Sequence, residues 1–134
     1  MVVHAGQCLC GAITYEVDGP LEPAGACHCE DCRRVSGTAF GVSFRVSREH
    51  LRISGTPARF EKSADSGAIL TRSFCRDCGS PLFTESATHA DAIYVKAGSL
   101  DDPAAITIDR EIWTISRVNW SEIPASVKSY ERGR

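Results

Sequence analysis

Ala26-Cys27-His28-Cys29-Glu30-Asp31-Cys32-Arg33-Arg34 puts three of the chain's seven cysteines within six residues, at C-x-C-x2-C spacing. The other four form two close pairs, Cys8-Leu9-Cys10 and Cys75-Arg76-Asp77-Cys78. Zinc in a structural site takes four thiolate or imidazole ligands in a tetrahedron, whereas a catalytic site keeps three and leaves one position free. Two pairs and a triplet therefore predict one closed zinc site and one open one.

The triplet also predicts a change of local structure. Cys27 and Cys29 share a face if the chain is extended, while Cys29 and Cys32 share one if a helical turn begins at Cys29. Glu30 and Asp31 would occupy the first turn of that helix and Arg33 and Arg34 the last, as its dipole favours. The arginine pair reads as a solvated cap. Ser36-Gly37 is the expected stop, because glycine tolerates the left-handed conformation just past a helix end. In an extended segment His28 would point away from the cysteines on either side.

Elsewhere the pattern is β. Phe40, Val42, Phe44 and Val46 alternate with Gly41, Ser43 and Arg45, the clearest period-two signal in the chain. Ile13-Thr14-Tyr15-Glu16-Val17 alternates in the same way after Gly11. Further strands are expected at Leu51–Ile53, Ala58–Phe60, Ala68–Phe74, Ala92–Ala97, Ile106–Ile108 and Ile112–Ile115, separated by turns such as Ser54-Gly55-Thr56-Pro57 and Asp101-Asp102-Pro103. Trp113 and Trp120 read as core residues of a β protein. His4, His50 and His89 sit in polar contexts and read as surface. The polar tail from Ser121 carries no clear pattern.

Composition bounds the partners. A chain of 134 residues with 43% hydrophobic and 24% charged residues is of ordinary globular make-up and long enough for one domain with its own core. Fifteen Lys+Arg against seventeen Asp+Glu give a net charge of −2, with no basic block of the kind a nucleic-acid partner selects. No apolar run approaches membrane-spanning length, and Met1-Val2-Val3-His4-Ala5-Gly6 lacks the regions of a signal peptide. The expectation is a cytoplasmic chain with neither nucleic acid nor membrane as partner, whose clustered cysteines are metal ligands rather than disulfides.

Cys75-x2-Cys78-Gly79 has the form of a zinc knuckle, and pairing it with Cys8 and Cys10 would staple the N-terminus to a distant hairpin. Buried free cysteines packing as small hydrophobes are the bland alternative. The triplet could likewise be closed by a histidine, or the cysteines could share a single cluster, but the open three-cysteine site is the preferred reading. Zinc on three thiolates is a weak Lewis acid that still holds a coordinated thiol deprotonated. A free thiol titrates near pKa ~8.5, so such a site would convert an external thiol into a bound thiolate at neutral pH. Carbon–sulfur bond making or breaking is the reaction class that follows.

Gly6-Gln7-Cys8-Leu9-Cys10-Gly11-Ala12, Cys27-His28-Cys29-Glu30-Asp31-Cys32-Arg33-Arg34-Val35-Ser36-Gly37 and Phe74-Cys75-Arg76-Asp77-Cys78-Gly79-Ser80 resemble the signature blocks of the glutathione-dependent formaldehyde-activating (GFA) family. That family's domain also occurs in centromere protein V. The resemblance runs from about Gly6 to Trp120, takes in Ala97-Gly98-Ser99-Leu100-Asp101-Asp102-Pro103 and matches all seven cysteines. It implies a single zinc-binding domain over residues 1–134, mainly β, with several coiled antiparallel sheets stapled by zinc, akin to the methionine sulfoxide reductase B domain. It implies two Zn2+ per chain: a structural ion on Cys8, Cys10, Cys75 and Cys78, and a catalytic one on Cys27, Cys29 and Cys32. The implied reaction joins glutathione to formaldehyde as S-hydroxymethylglutathione, formally a carbon–sulfur lyase reaction. Members of the family often carry histidine where Glu111 stands before Ile112-Trp113, a departure that bears on glutathione specificity. The alternative function, suggested by the centromere relative, is a non-catalytic zinc-stabilised binding module.

Overall fold

Cys29 caps the helix that the triplet was expected to start. In the computed structural model, which describes residues 2–122 and 125–133, helix α1 spans Glu30–Ser36 and the Cys29 sulfur accepts a hydrogen bond from the Cys32 backbone N–H at 3.3 Å. Gly37 ends the helix at φ 70°, and its N–H donates to the Arg33 carbonyl at 3.0 Å. Glu30 and Asp31 lie in the first turn and Arg33 and Arg34 in the last. Arg34 pairs with Glu30 at 3.0 Å in a solvated i,i+4 contact. This is the only α-helix among the described residues.

The rest is strand and turn. In chain order the strands are β1 (Val3–Gln7), β2 (Thr14–Asp18), β3 (Ala24–Cys27), β4 (Gly41–Ser47), β5 (Leu51–Ser54), β6 (Ala58–Ser63), β7 (Ile69–Phe74), β8 (Pro81–Ser86), β9 (Ala92–Lys96), β10 (Ile108–Ile112) and β11 (Lys128–Ser129). They form a three-stranded sheet, β1-β2-β5, and an eight-stranded sheet, β11-β10-β3-β4-β9-β8-β7-β6. Pairing is antiparallel except where β10 runs parallel to β3 and β11.

One face of the large sheet is apolar. Ala24, Phe44, Val46, Phe83, Ile93 and Val95 alternate inward there and pack with Ile13, Tyr15 and Val17 in one buried cluster. Tyr15 of the small sheet meets Phe83 of the large one edge to face, with ring centroids 5.5 Å apart. Fully burying a side chain such as Phe44 or Val95 contributes roughly 1.5–3 kcal/mol, and this shared core holds the two sheets together. Gly6 lies against the Tyr15 ring, where a Cβ would come within 2.3 Å of it, so only glycine fits.

The expected strands are largely present, with one rearrangement. Ile106–Ile108 and Ile112–Ile115 were expected as two strands; instead one strand covers Ile108–Ile112, and Thr114–Ser116 is a 3-10 turn. The break falls at Trp113, whose φ of 59° places a bulky residue in the left-handed region. Strands β1, β3, β8 and β11 carry weak alternation and were not among the expected strands.

Candidate metal centres and the adjoining cavity

Each end of the cysteine inventory gathers as its spacing suggested. The sulfurs of Cys8, Cys10, Cys75 and Cys78 lie within 4.8 Å of one another, and so, as a separate group, do those of Cys27, Cys29 and Cys32. Cys10 Sγ stands 3.7 Å from both Cys8 Sγ and Cys75 Sγ. A tetrahedron of sulfurs about 2.3 Å from a zinc ion has edges of roughly 3.8 Å, so the four-sulfur group has the dimensions of a single zinc site. The possibility of one shared cluster is removed, because the two groups are distinct.

Local backbone builds each group. Cys8 and Cys10 flank the exposed Leu9 ahead of the turn at Gly11, whose φ is 82°. The Ile13 N–H donates to Cys8 Sγ at 3.3 Å, one polar contact for a sulfur that would carry charge. Cys75 and Cys78 sit on the tight turn between β7 and β8, closed by the Gly79 N–H donating to the Cys75 carbonyl at 2.8 Å. Ser80 Oγ lies 3.2 Å from Cys78 Sγ. In the triplet, Cys27 ends β3 while Cys29 caps α1 and Cys32 lies in its first turn.

His28 points away from the sulfurs, as its place in an extended segment required. It is fully buried, packs on the Phe40 ring at 5.2 Å and donates from Nε2 to Glu111 Oε1 at 2.9 Å. Glu111 also accepts from Arg117 and, at 2.7 Å, from the Ser129 hydroxyl. Glu111 pairs with Ala26 in the β10–β3 ladder, on the core face. The position that bore on glutathione specificity is thus part of a buried clamp.

The opposite face of the large sheet carries the site. Residues directly paired across strands, and residues two apart along one, share a face. Arg110, Gly25, Ser43 and Lys96 make one row across β10, β3, β4 and β9; Ile112, Cys27 and Gly41 make the next. Tyr94, Thr84 and Arg72 continue across β9, β8 and β7. These residues, together with Cys32, Trp113 and the segment around Ser66 and Ala68, enclose a cavity of about 310 Å3. Gly25 and Gly41 leave its floor open: a Cβ on Gly41 would meet Cys32 Cβ at 3.4 Å and Lys96 Nζ at 3.6 Å.

Charge in this cavity is uneven. Hydrogen bonds from Cys27 and Cys29, aided by Lys96 and Arg72, hold the Cys32 thiol down at about 2, while Cys27 is pushed up by the same sulfur contacts. Burial lowers the Lys96 ammonium, an effect that the Cys32 charge opposes.

Sequence reading missed Arg72, Lys96 and Tyr94, because in an alternating strand they look like the solvent face. Trp113 and Trp120 are not core residues: Trp113 is half-buried at the cavity and Trp120 is exposed. His50 and His89 are exposed, with His89 at the cavity edge, and His4 is half-buried.

The fold and the sites together define a mainly β chain with two separate cysteine groups that could each hold a metal ion, the three-cysteine one beside a cavity. The model of the glutathione-dependent formaldehyde-activating enzyme family matches residues 3–116, and the chain belongs to that family. Proteins of Aspergillus flavus and Aspergillus oryzae, provisionally named glutathione-dependent formaldehyde-activating enzymes, are each 31% identical over 78 residues, covering 57% of this chain and 40% of theirs. The chain thus spans about two-fifths of the length of these relatives. An uncharacterized lyase of Schizosaccharomyces pombe is 22% identical over 112 residues, covering 84% of this chain and 79% of its own. The crystal structure of a Rhodobacter sphaeroides protein shares the fold at a TM-score of 0.59, with 22% identity, over 72% of this chain and 87% of that one. Among the described residues no helix is long and apolar enough to cross a membrane.

Proposed function

We propose that this chain is a zinc-dependent carbon–sulfur lyase acting on adducts of glutathione with formaldehyde or another small aldehyde. It is organised as one domain over residues 1–134 and works in the cytoplasm, where thiols stay reduced. Cys8, Cys10, Cys75 and Cys78 hold the structural ion; Cys27, Cys29 and Cys32 hold the catalytic one. The observation that carries the reading is that the three-sulfur group, one ligand short of a tetrahedron, has Cys27 and Cys32 in the wall of the 310 Å3 cavity.

Zinc bound there would supply a coordination place in which a substrate thiol is held as thiolate. In the synthetic direction the thiolate sulfur bonds to the aldehyde carbon, the carbonyl π pair moves to oxygen, and that oxygen takes a proton. In the lyase direction the hydroxyl loses its proton, the C=O bond re-forms and the C–S pair returns to sulfur. The hydroxyls of Ser43, Thr84 and Tyr94 line the cavity and can hydrogen-bond the oxygen whose charge changes. Trp113 and Gly133 form part of the cavity wall.

X-ray absorption on zinc-loaded protein tests this. The average sulfur count per zinc should lie below four and rise to four with glutathione. A count of four without thiol, unchanged by it, would mean that both sites are closed and would favour the non-catalytic binding module.

A further inference from the structure

Two cations face the cavity with no carboxylate to balance them. Arg72 is 7% exposed, yet its Nε has no hydrogen-bond partner, and neither Arg72 nor Lys96 forms an ion pair among the described residues. Burying an unpaired guanidinium is costly, and proteins keep such groups where something charged completes them. No carboxylate among the described residues does so: the cavity wall near Arg72 offers Thr84, Ser86, Leu70 and Tyr94, all uncharged, and Cys32 bears on it only through space, without a hydrogen bond to its Nε.

The two cations come from different strands, and both bear on Cys32, Lys96 the more strongly. Lys96 Nζ lies beside Gly41 and Cys32, at the sulfur triplet. Arg72 lies two strands further across the sheet, through Thr84 of β8, a backbone offset of roughly 10 Å from β9. Zinc on three thiolates would carry a formal charge of −1, which one of the two cations can match, and Lys96 is the one that lies at the triplet. Arg72 is the surplus charge, and its flat fork suits a carboxylate, which it can grip with two parallel hydrogen bonds. We propose that Arg72 is the specificity-determining residue of this cavity, binding a carboxylate of the thiol while the thiol's sulfur lies at Cys27, Cys29 and Cys32. The substrate class is then a carboxylate-bearing thiol of peptide size, as opposed to small neutral thiols. This deepens the lyase reading and rests on it.

Calorimetric titration of the zinc-loaded protein tests the assignment, with three probes: glutathione, its diethyl ester, which lacks both free carboxylates, and S-methylglutathione, which keeps them but offers no thiolate. Arg72→Gln should weaken glutathione about tenfold to a hundredfold, the loss expected for a charge-assisted hydrogen bond, and leave the diester within about threefold. Zinc content should not change. Arg72→Lys, which keeps the charge but not the fork, should recover part of the loss and serves if the glutamine variant folds poorly. Equal weakening of glutathione and diester, or no weakening of either, would overturn the proposal, since Arg72 would then act only on the metal's charge or not at all. Failure of the lyase reading looks different: the diester would not bind even the wild-type protein, while S-methylglutathione would still bind in an Arg72-dependent way.

Discussion

His28 and Glu111 meet across 83 residues of chain through a 2.9 Å hydrogen bond in a fully buried place. His28 sits between two of the clustered cysteines, and Glu111 is tied onward to Arg117 and Ser129. The clamp therefore links the segment of the cysteine triplet to β10 and to the C-terminal β11. A carboxylate only accepts hydrogen bonds, so Nε2 must carry a proton, and the ring orientation is fixed with it.

That clamp should give stability a distinct pH dependence. Burial alone would raise the Glu111 carboxyl, but Arg117 and Ser129 outweigh it and hold the group below its ordinary value of 4.5. A carboxyl depressed by folding contributes stability that is present above the unfolded value and lost as pH falls through the folded one. Glu111→Gln should cost about 1–3 kcal/mol at neutral pH. The gap to wild type should narrow as the solution is acidified below about 4.5. Denaturant unfolding of both proteins across pH checks this, and a gap independent of pH would remove the charge from the argument.

Cys75 is 1% exposed and belongs to the four-sulfur group that joins the N-terminal segment to the β7–β8 turn. Structural zinc contributes its binding free energy, on the order of 10 kcal/mol, directly to folding. Cys75→Ser should abolish a cooperative thermal transition or lower its midpoint steeply, with loss of one zinc. Unaltered unfolding of a zinc-depleted Cys75→Ser protein would show that the staple does not exist.

The two centres should also part with metal in order. A three-cysteine ion next to a cavity has one protein ligand fewer and an open coordination place for a chelator; exposure does not set the order, since Cys10 is exposed and the triplet cysteines are half-buried. Mild chelation should remove one zinc while circular dichroism stays native, and stronger chelation should remove the second together with the fold. Simultaneous loss of both ions would contradict the division into an open and a closed site.

A good deal of this protein was legible before any coordinates. Helix α1 follows from local rules: a cysteine that can cap, acids ahead of bases and a glycine able to take φ 70°. The pairs Cys8/Cys10 and Cys75/Cys78 and the triplet follow from spacing, because short chain segments bring i, i+2 and i+3 sulfurs together, whereas the union of the two pairs, 65 residues apart at Cys10 and Cys75, is made by the fold. Strands β2, β4 and β9 announce themselves by alternation. Trp113 did not, since its left-handed backbone answers to the packing of the C-terminal segment, whose Arg132 carbonyl accepts its N–H at 3.2 Å.

Alternation tells two faces of a strand apart, but it says nothing of what lies over the second one. Tyr94 and Lys96 have the pattern of solvent-facing residues on β9, and Arg72 that of a charged interruption on β7. Only the order of strands in the large sheet aligns them with Gly25, Gly41 and Cys27, and only the cover from Cys32, Trp113 and the Ser66 segment turns that face into a cavity. Each short cysteine segment was written locally, because a few residues of chain suffice to bring two or three sulfurs together. The cavity depends on contacts between strands far apart in the chain, and tertiary structure alone decided it.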